Sequence, residues 1–182
     1  MTTALVLTGN IGIGKSTVAA RLVALARKRG LRCDGLLCSA RLDAGGKKVG
    51  IDGERIGTGE HRQLAARDVS GDSLRCGVWL FEPGAMEWSL NGLLDAISQC
   101  PDLLVVDELG PMELNEGRGL APVIPELKSG KVPLALVLVR AVLLPAMLER
   151  LMGCEVRVYR VTPENRTRLP DEIADEWFRA AG

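Results

Sequence analysis

The sequence predicts an α/β fold: a three-layer arrangement with a mostly parallel sheet, helices on both faces and an added β-hairpin. Three observations predict it. Short apolar runs alternate along the chain with longer stretches of helical period, as parallel strands joined by crossover helices do. The first apolar run passes directly into a glycine-rich turn that opens an amphipathic helix. The 182 residues are 47% hydrophobic and 25% charged, which suits one folded domain over 1–182 that needs no disulfide or metal staples.

The elements follow in order. Residues 4–8 (ALVLT) read as a buried strand. Over 15–29, Val18, Ala19, Leu22, Val23 and Ala26 share one helical face, Arg27, Lys28 and Arg29 complement the dipole of the last turn, and Gly30 supplies the stop. Residues 35–41 (GLLCSAR) are a strand, Gly45-Gly46 a turn and 47–51 a returning strand, so a hairpin is expected. The polar stretch 52–75 carries Arg55, Arg62, Arg67 and Arg75 and reads as a protruding hairpin or loop, within an excursion over about 41–76. Further expectations are a strand at 78–81, a helix at 87–99, a strand at 103–107 (LLVVD) and a helix at 120–129 stopped by Gly130. A strand at 134–139, a helix at 144–152, a strand at 155–161 and a closing helix at 170–181 complete the chain.

Charge and composition exclude several classes. Lys plus Arg and Asp plus Glu number 23 each, so no electrostatic footprint for nucleic acid or an acidic membrane is present. Three Trp, two Phe and one Tyr are too few for base-stacking platforms or an aromatic-rich sandwich. The longest apolar stretch, 132–148, contains Arg140, Pro133 and Pro145, so no membrane span is expected. The N-terminal MTTALVLTG has no basic n-region, and the expected location is cytoplasmic. The five cysteines have no C-x-x-C spacing and read as small buried hydrophobes, with a reactive thiol as the alternative.

Immediately after the first strand, GNIGIGKST satisfies G-x-x-x-x-G-K-[ST]. The spacing has a chemical reason: only a glycine-rich turn lets successive N–H groups point inward at phosphate oxygens, and the helix N-terminus behind it adds unpaired N–H groups and a positive dipole end. The expected nucleotide-binding residues are Gly9, Asn10, Ile11, Gly12, Ile13, Gly14, Lys15, Ser16 and Thr17. Lys15 supplies charge at the β- and γ-phosphates, and the Ser16 hydroxyl is a candidate ligand for Mg²⁺.

The pair Asp107-Glu108 ends the apolar strand LLVV. Beside a phosphate loop, such an Asp is a Walker B carboxylate, a second Mg²⁺ ligand with Ser16. Glu108 can reach the water that attacks the terminal phosphate, so it is the candidate general base and, with Lys15, the candidate catalytic pair. The bland alternative is that Glu108 only accepts a hydrogen bond from a neighbouring loop. Gly110 would let the backbone pass close to the phosphates. Arranged as in the additional-strand class of phosphate-loop proteins, the strand at 134–139 would lie between the first strand and the Asp107 strand, and that at 155–161 on the far side of the first. The following TPENR (162–166) would then sit beside the nucleotide, where Asn165 and Arg166 either read base, ribose or phosphate or merely cap a helix start.

The phosphate loop, DELGPMEL (107–114) and TPENR (162–166) together resemble the cancer-related nucleoside-triphosphatase family, small phosphate-loop (P-loop) NTPases with a RecA-like sheet. The segment 35–50 resembles the hairpin of that family, and order and spacing agree along nearly the whole chain. The resemblance implies a Mg²⁺-dependent hydrolase of ATP, GTP or other nucleoside triphosphates, tolerant of several bases, in which residues 9–16 bind phosphate, Asp107 binds metal and Glu108 activates water. Met112 and Glu113 match the block without an assigned chemical role. The chain departs from the pattern at Cys38, near the family's Thr position, in lacking an acidic run before Arg41, and in carrying no polar residue on 134–139 to sense the γ-phosphate.

His61, the single histidine, reads as a solvated loop residue. Arg41, Arg55, Arg62, Arg67 and Arg75 read as solvated, with a finger into a neighbouring subunit's phosphates as the alternative. Two other functions compete with hydrolysis: a nucleotide or small-molecule kinase, and a slow nucleotide-dependent switch acting on a protein partner that the sequence does not identify.

Overall fold

The computed structural model describes residues 1–67 and 74–178. Residues 68–73 of the expected excursion and 179–181 of the expected closing helix lie outside the described residues. The elements are β1 (Thr3–Gly9), α1 (Lys15–Lys28), β2 (Cys33–Leu42), β3 (Lys48–Arg55), β4 (Glu60–Ala66), β5 (Leu74–Cys76), β6 (Trp79–Phe81), α2 (Ala85–Ser98), β7 (Leu103–Val106), α3 (Pro111–Leu114), α4 (Val123–Lys128), β8 (Leu134–Arg140), α5 (Leu144–Arg150), β9 (Glu155–Arg160) and α6 (Leu169–Trp177).

These strands form one nine-stranded sheet in the order β5-β6-β4-β3-β2-β7-β8-β1-β9. From β2 to β9 every neighbouring pair is parallel, whereas β3, β4, β6 and β5 extend the sheet antiparallel. β8 thus lies between β1 and β7, and β9 lies on the far side of β1, as the sequence predicts.

Alternation along the strands explains the layers. In β1, Ala4 and Val6 join the core beneath α2, α4 and α5, while Leu5 and Leu7 join the core beneath α1 and α6. In β7, Leu104 and Val106 take the first face and Leu103 and Val105 the second. Such strands are apolar throughout because both faces are covered, and each buried leucine contributes roughly 1.5–3 kcal/mol. The predicted helical face of α1 is the buried one: Val18, Ala19, Leu22, Val23 and Ala26. Two arginines tie α1 to α6: Arg21 donates to the Thr167 carbonyl at 2.7 Å and to Asp171, and Arg29 bonds Asp175 and the Ala174 carbonyl.

Of the two expectations for 52–75, a protruding hairpin or a loop, the described part fits the hairpin: β4 pairs antiparallel with β3 and carries the sheet outward. This strand shows no period of two: Glu60 and His61 are both exposed, and Leu64 and Ala65 are both buried. The helix expected from residue 120 begins at Val123, because the preceding residues wrap as turns. The short α3, started by Pro111 where a missing N–H is harmless, has too few residues to show a period. Among the described residues, no helix is long and apolar enough to cross a membrane.

Gly35 marks the tightest crossing. It has φ +119° and faces Val105 of β7 in parallel register, and a Cβ there would lie 2.1 Å from the Val105 carbonyl oxygen. Gly35→Ala is expected to cost roughly 3 kcal/mol or more, from backbone strain and steric overlap together. Urea unfolding of the purified variant measures this; an unchanged midpoint would refute it.

Candidate functional site

The parallel strands deliver their carboxyl ends to one edge, where β1 gives way to the loop 10–14 and α1 begins at Lys15. Gly14 occupies the turn into the helix with φ +104°, a conformation that excludes most L residues. No side chain caps α1, so its first N–H groups remain open toward the loop. The Lys15 side chain is 6% exposed and folds back along the loop, donating to the Gly9 carbonyl at 3.4 Å and the Asn10 carbonyl at 3.3 Å. Asn10, Ile11, Gly12 and Thr17 are exposed along the same rim, with Ile13 partly buried behind them.

Across the cleft, Asp107 and Glu108 follow β7 and have different surroundings. Asp107 is 2% exposed. One carboxylate oxygen accepts the Cys38 backbone N–H at 3.0 Å, and the Cys38 thiol donates to the Asp107 carbonyl at 2.7 Å. Burial pushes the Asp107 carboxyl up to about 7, against the lowering effect of the Cys38 amide and the neighbouring Ser16 hydroxyl. A buried carboxylate beside a hydroxyl is a hard, all-oxygen donor pair that a cation would stabilise. Ser16 and Asp107 therefore fit Mg²⁺, which keeps its other positions for water and phosphate oxygens.

Glu108 is more open and sits between two cations. Its Oε1 accepts Arg140 Nε at 2.6 Å, and its Oε2 lies 3.8 Å from Lys15 Nζ. Arg140 is the residue that the sequence reading missed. The strand expected to stop at Val139 runs one residue further, and register places Arg140 level with Gly9. In the sequence it stood out only as a charge interrupting an apolar stretch; such a charge at a strand's carboxyl end was the available signal.

Glu113 is a buried bracket, 4% exposed. It accepts the Gly110 N–H at 2.8 Å and the Leu120 N–H at 3.2 Å, closing the loop that follows Glu108. A Cβ on Gly119 would lie within 2.3 Å of its carboxylate, so that position needs glycine. Gly110 lines the cleft, but with its amide spent on Glu113 it offers no donor to a phosphate.

The cleft encloses about 650 Å³ and extends past the acidic pair toward β3 and β4. His61 lies on that wall, on β4 rather than in a loop. Arg166 lies elsewhere, with Gly14, Thr17 and Arg21 around a shallower hollow beside the helix start. Asn165 closes its own turn: Oδ1 accepts the Thr162 N–H at 2.9 Å and Nδ2 donates to the Arg160 carbonyl at 2.8 Å. Its polar atoms thus satisfy the capping alternative.

Glu113→Ala is expected to destabilise the fold by roughly 2–4 kcal/mol, because two buried N–H groups lose their acceptor, whereas Glu113→Gln keeps one acceptor and loses roughly half as much. Denaturant midpoints for the two variants check the ranking.

Comparison with known proteins shows the family. A family profile described as NTPase matches residues 4–174. The nucleoside-triphosphatase THEP1 of Thermofilum pendens is 33% identical over 174 residues, covering 93% of this chain and 92% of its own. That of Methanosarcina acetivorans is 32% identical over 177 residues, covering 96% and 97%. The solution structure of a human cancer-related nucleoside triphosphatase superposes with a TM-score of 0.73 at 23% identity, over 96% of each chain. The crystal structure of THEP1 from Aquifex aeolicus gives 0.70 at 17% identity, over 97% of this chain and 99% of that one. With one profile spanning nearly all of the sheet and two archaeal relatives aligned almost end to end, the chain belongs to the THEP1, or cancer-related, nucleoside-triphosphatase family.

Proposed function

We propose that the chain, as a single domain over 1–182, is a Mg²⁺-dependent nucleoside-triphosphate hydrolase, broad in base, converting NTP and water to NDP and phosphate. The observation that carries the reading is the meeting of Lys15 and Glu108 in one cleft, 3.8 Å apart at the end of the glycine-rich loop. The names of the relatives support the same activity.

In this reading the loop amides of residues 9–14 and the N–H groups opening α1 grip the phosphate tail, and Lys15 lies against its terminal oxygens. Ser16 and Asp107 would hold Mg²⁺, which when bound supplies charge neutralisation on the phosphates. Glu108 carries the hydrolytic step. Its Oε1 is engaged by Arg140, and its Oε2 stands beyond hydrogen-bond length from Lys15. Oε2 is therefore the atom that accepts the proton of the attacking water, while the bond between the terminal phosphorus and its bridging oxygen breaks and the diphosphate leaves. Thr17 and Arg166 border the hollow where the nucleoside would rest. Arg21 and Thr167 also line that hollow, and breadth in base follows from the family resemblance.

Phosphate release from ATP, GTP, CTP and UTP, with Mg²⁺ and with excess chelator, tests the proposal. Release without any added acceptor, and its loss on chelation, is expected; labelled phosphate appearing instead on a nucleoside or metabolite would overturn hydrolysis in favour of transfer. Glu108→Gln is expected to lower kcat by about 100-fold or more with triphosphate affinity retained. Lys15→Ala is expected to weaken affinity about tenfold or more, through loss of a charge-assisted hydrogen bond. Equilibrium titration with a fluorescent triphosphate separates the two effects.

A further inference from the structure

The hydrolytic reading uses only the Nε of Arg140, which engages Glu108. Arg140 ends β8, the strand between β1 and β7, and therefore emerges between the phosphate loop and the acidic pair. Its register partner is Gly9, the first residue of the glycine-rich motif. The side chain is 35% exposed and borders the cleft. Only Nε is engaged by a described acceptor, the Glu108 carboxylate at 2.6 Å; neither Nη has a protein acceptor among the described residues. A guanidinium presents its donors in a rigid planar fork, so fixing Nε on one anion also fixes where the two Nη groups point.

Four of the five other arginines open to such a role have partners on or beside the antiparallel extension of the sheet, and the fifth, Arg75, is exposed on β5. Arg41 bonds Asp52 and Gln63. Arg55 bonds Glu60 and the Trp88 carbonyl and lies over the Trp88 ring. Arg62 bonds the Pro83 carbonyl, and Arg67 lies over the Trp79 ring.

We propose that Arg140 is a catalytic arginine supplied within the same chain: Nε holds Glu108 in place, and the Nη groups donate to oxygens of the terminal phosphoryl group as charge builds on them. This rests on the hydrolytic reading above. It gives β8 the polar group that residues 134–139 lack, placed one residue beyond them. Because the arginine is tied to the base, one side chain couples water activation to stabilisation of the transferring group. The contact strengthens as charge accumulates in the transition state, so its loss appears in kcat rather than in ground-state affinity.

The test compares wild type with Arg140→Ala and Arg140→Lys, all with Mg²⁺. The expected result is a kcat lower by about 100-fold or more in both variants, with triphosphate affinity nearly unchanged. Lysine fails because a single ammonium cannot hold Glu108 and a phosphoryl oxygen in the same fork. Trapping with NDP and aluminium fluoride, a mimic of the transferring phosphoryl group, is expected in wild type and lost in Arg140→Ala, while NDP alone binds both equally. A merely structural arginine would not separate those two affinities. Added guanidinium is expected to restore part of the turnover of Arg140→Ala. Mixing Arg140→Ala with Glu108→Gln protein is expected to restore none; recovery there would place the arginine in a neighbouring subunit and overturn the proposal. Wild-type turnover in either variant, or undiminished fluoroaluminate trapping, would also overturn it. If Arg140→Ala does not fold, Arg140→Lys decides by the same two readouts. A wild-type chain that releases no phosphate from any triphosphate would remove the hydrolytic reading itself, which is a different result from an active wild type matched by its variants.

Discussion

Parallel pairing of β1, β8 and β7 is the constraint on which the site depends. Because the three strands run in register, Gly9, Arg140 and the Asp107-Glu108 pair arrive together at one edge of the sheet, although they are widely separated in the chain. A parallel arrangement needs cover on both faces, which accounts for the unbroken apolar character of these strands and for helices above and below. The charged residues appear where the strands run out, since that is the first point at which water and ligand can reach them.

At that edge, electrostatic balance replaces packing. Glu108 faces Lys15 on one side and Arg140 on the other, and Asp107 sits behind it in a drier environment. The two neighbouring carboxylates are thereby made chemically different. One is buried and supported by a main-chain amide and a hydroxyl; the other is open to the cleft and supported by cations. Such a division of surroundings is how one pair of acids serves two tasks.

Much of this was legible in the sequence, and the limits have physical reasons. Each parallel strand and the buried face of α1 could be read because burial on two faces, or on one helical stripe, imposes a period. The strand order followed from the phosphate loop and the acidic strand taken together. The glycine-rich loop and Asp107-Glu108 were visible as local motifs. The outer strand β4 was obscured, because it is mostly polar and its buried residues, Leu64 and Ala65, are adjacent rather than alternating. Arg140 was hidden because its partner is 32 residues away in sequence, and the pairing exists only once β7 and β8 lie side by side. The contact of Glu113 with Gly110 is a local capping contact three residues apart, whereas its contact with Leu120 depends on how the turns after α3 close.

The backbone of β2 holds the carboxylate of Asp107, while the thiol of the same residue, Cys38, donates to the Asp107 carbonyl. A hydrogen bond donated by a peptide group is indifferent to the identity of the residue that carries it. Replacing the side chain at position 38 therefore removes the thiol's contact with the carbonyl and leaves the grip on the carboxylate in place. The architecture entrusts its most exacting contact to the part of the polymer that mutation cannot easily change.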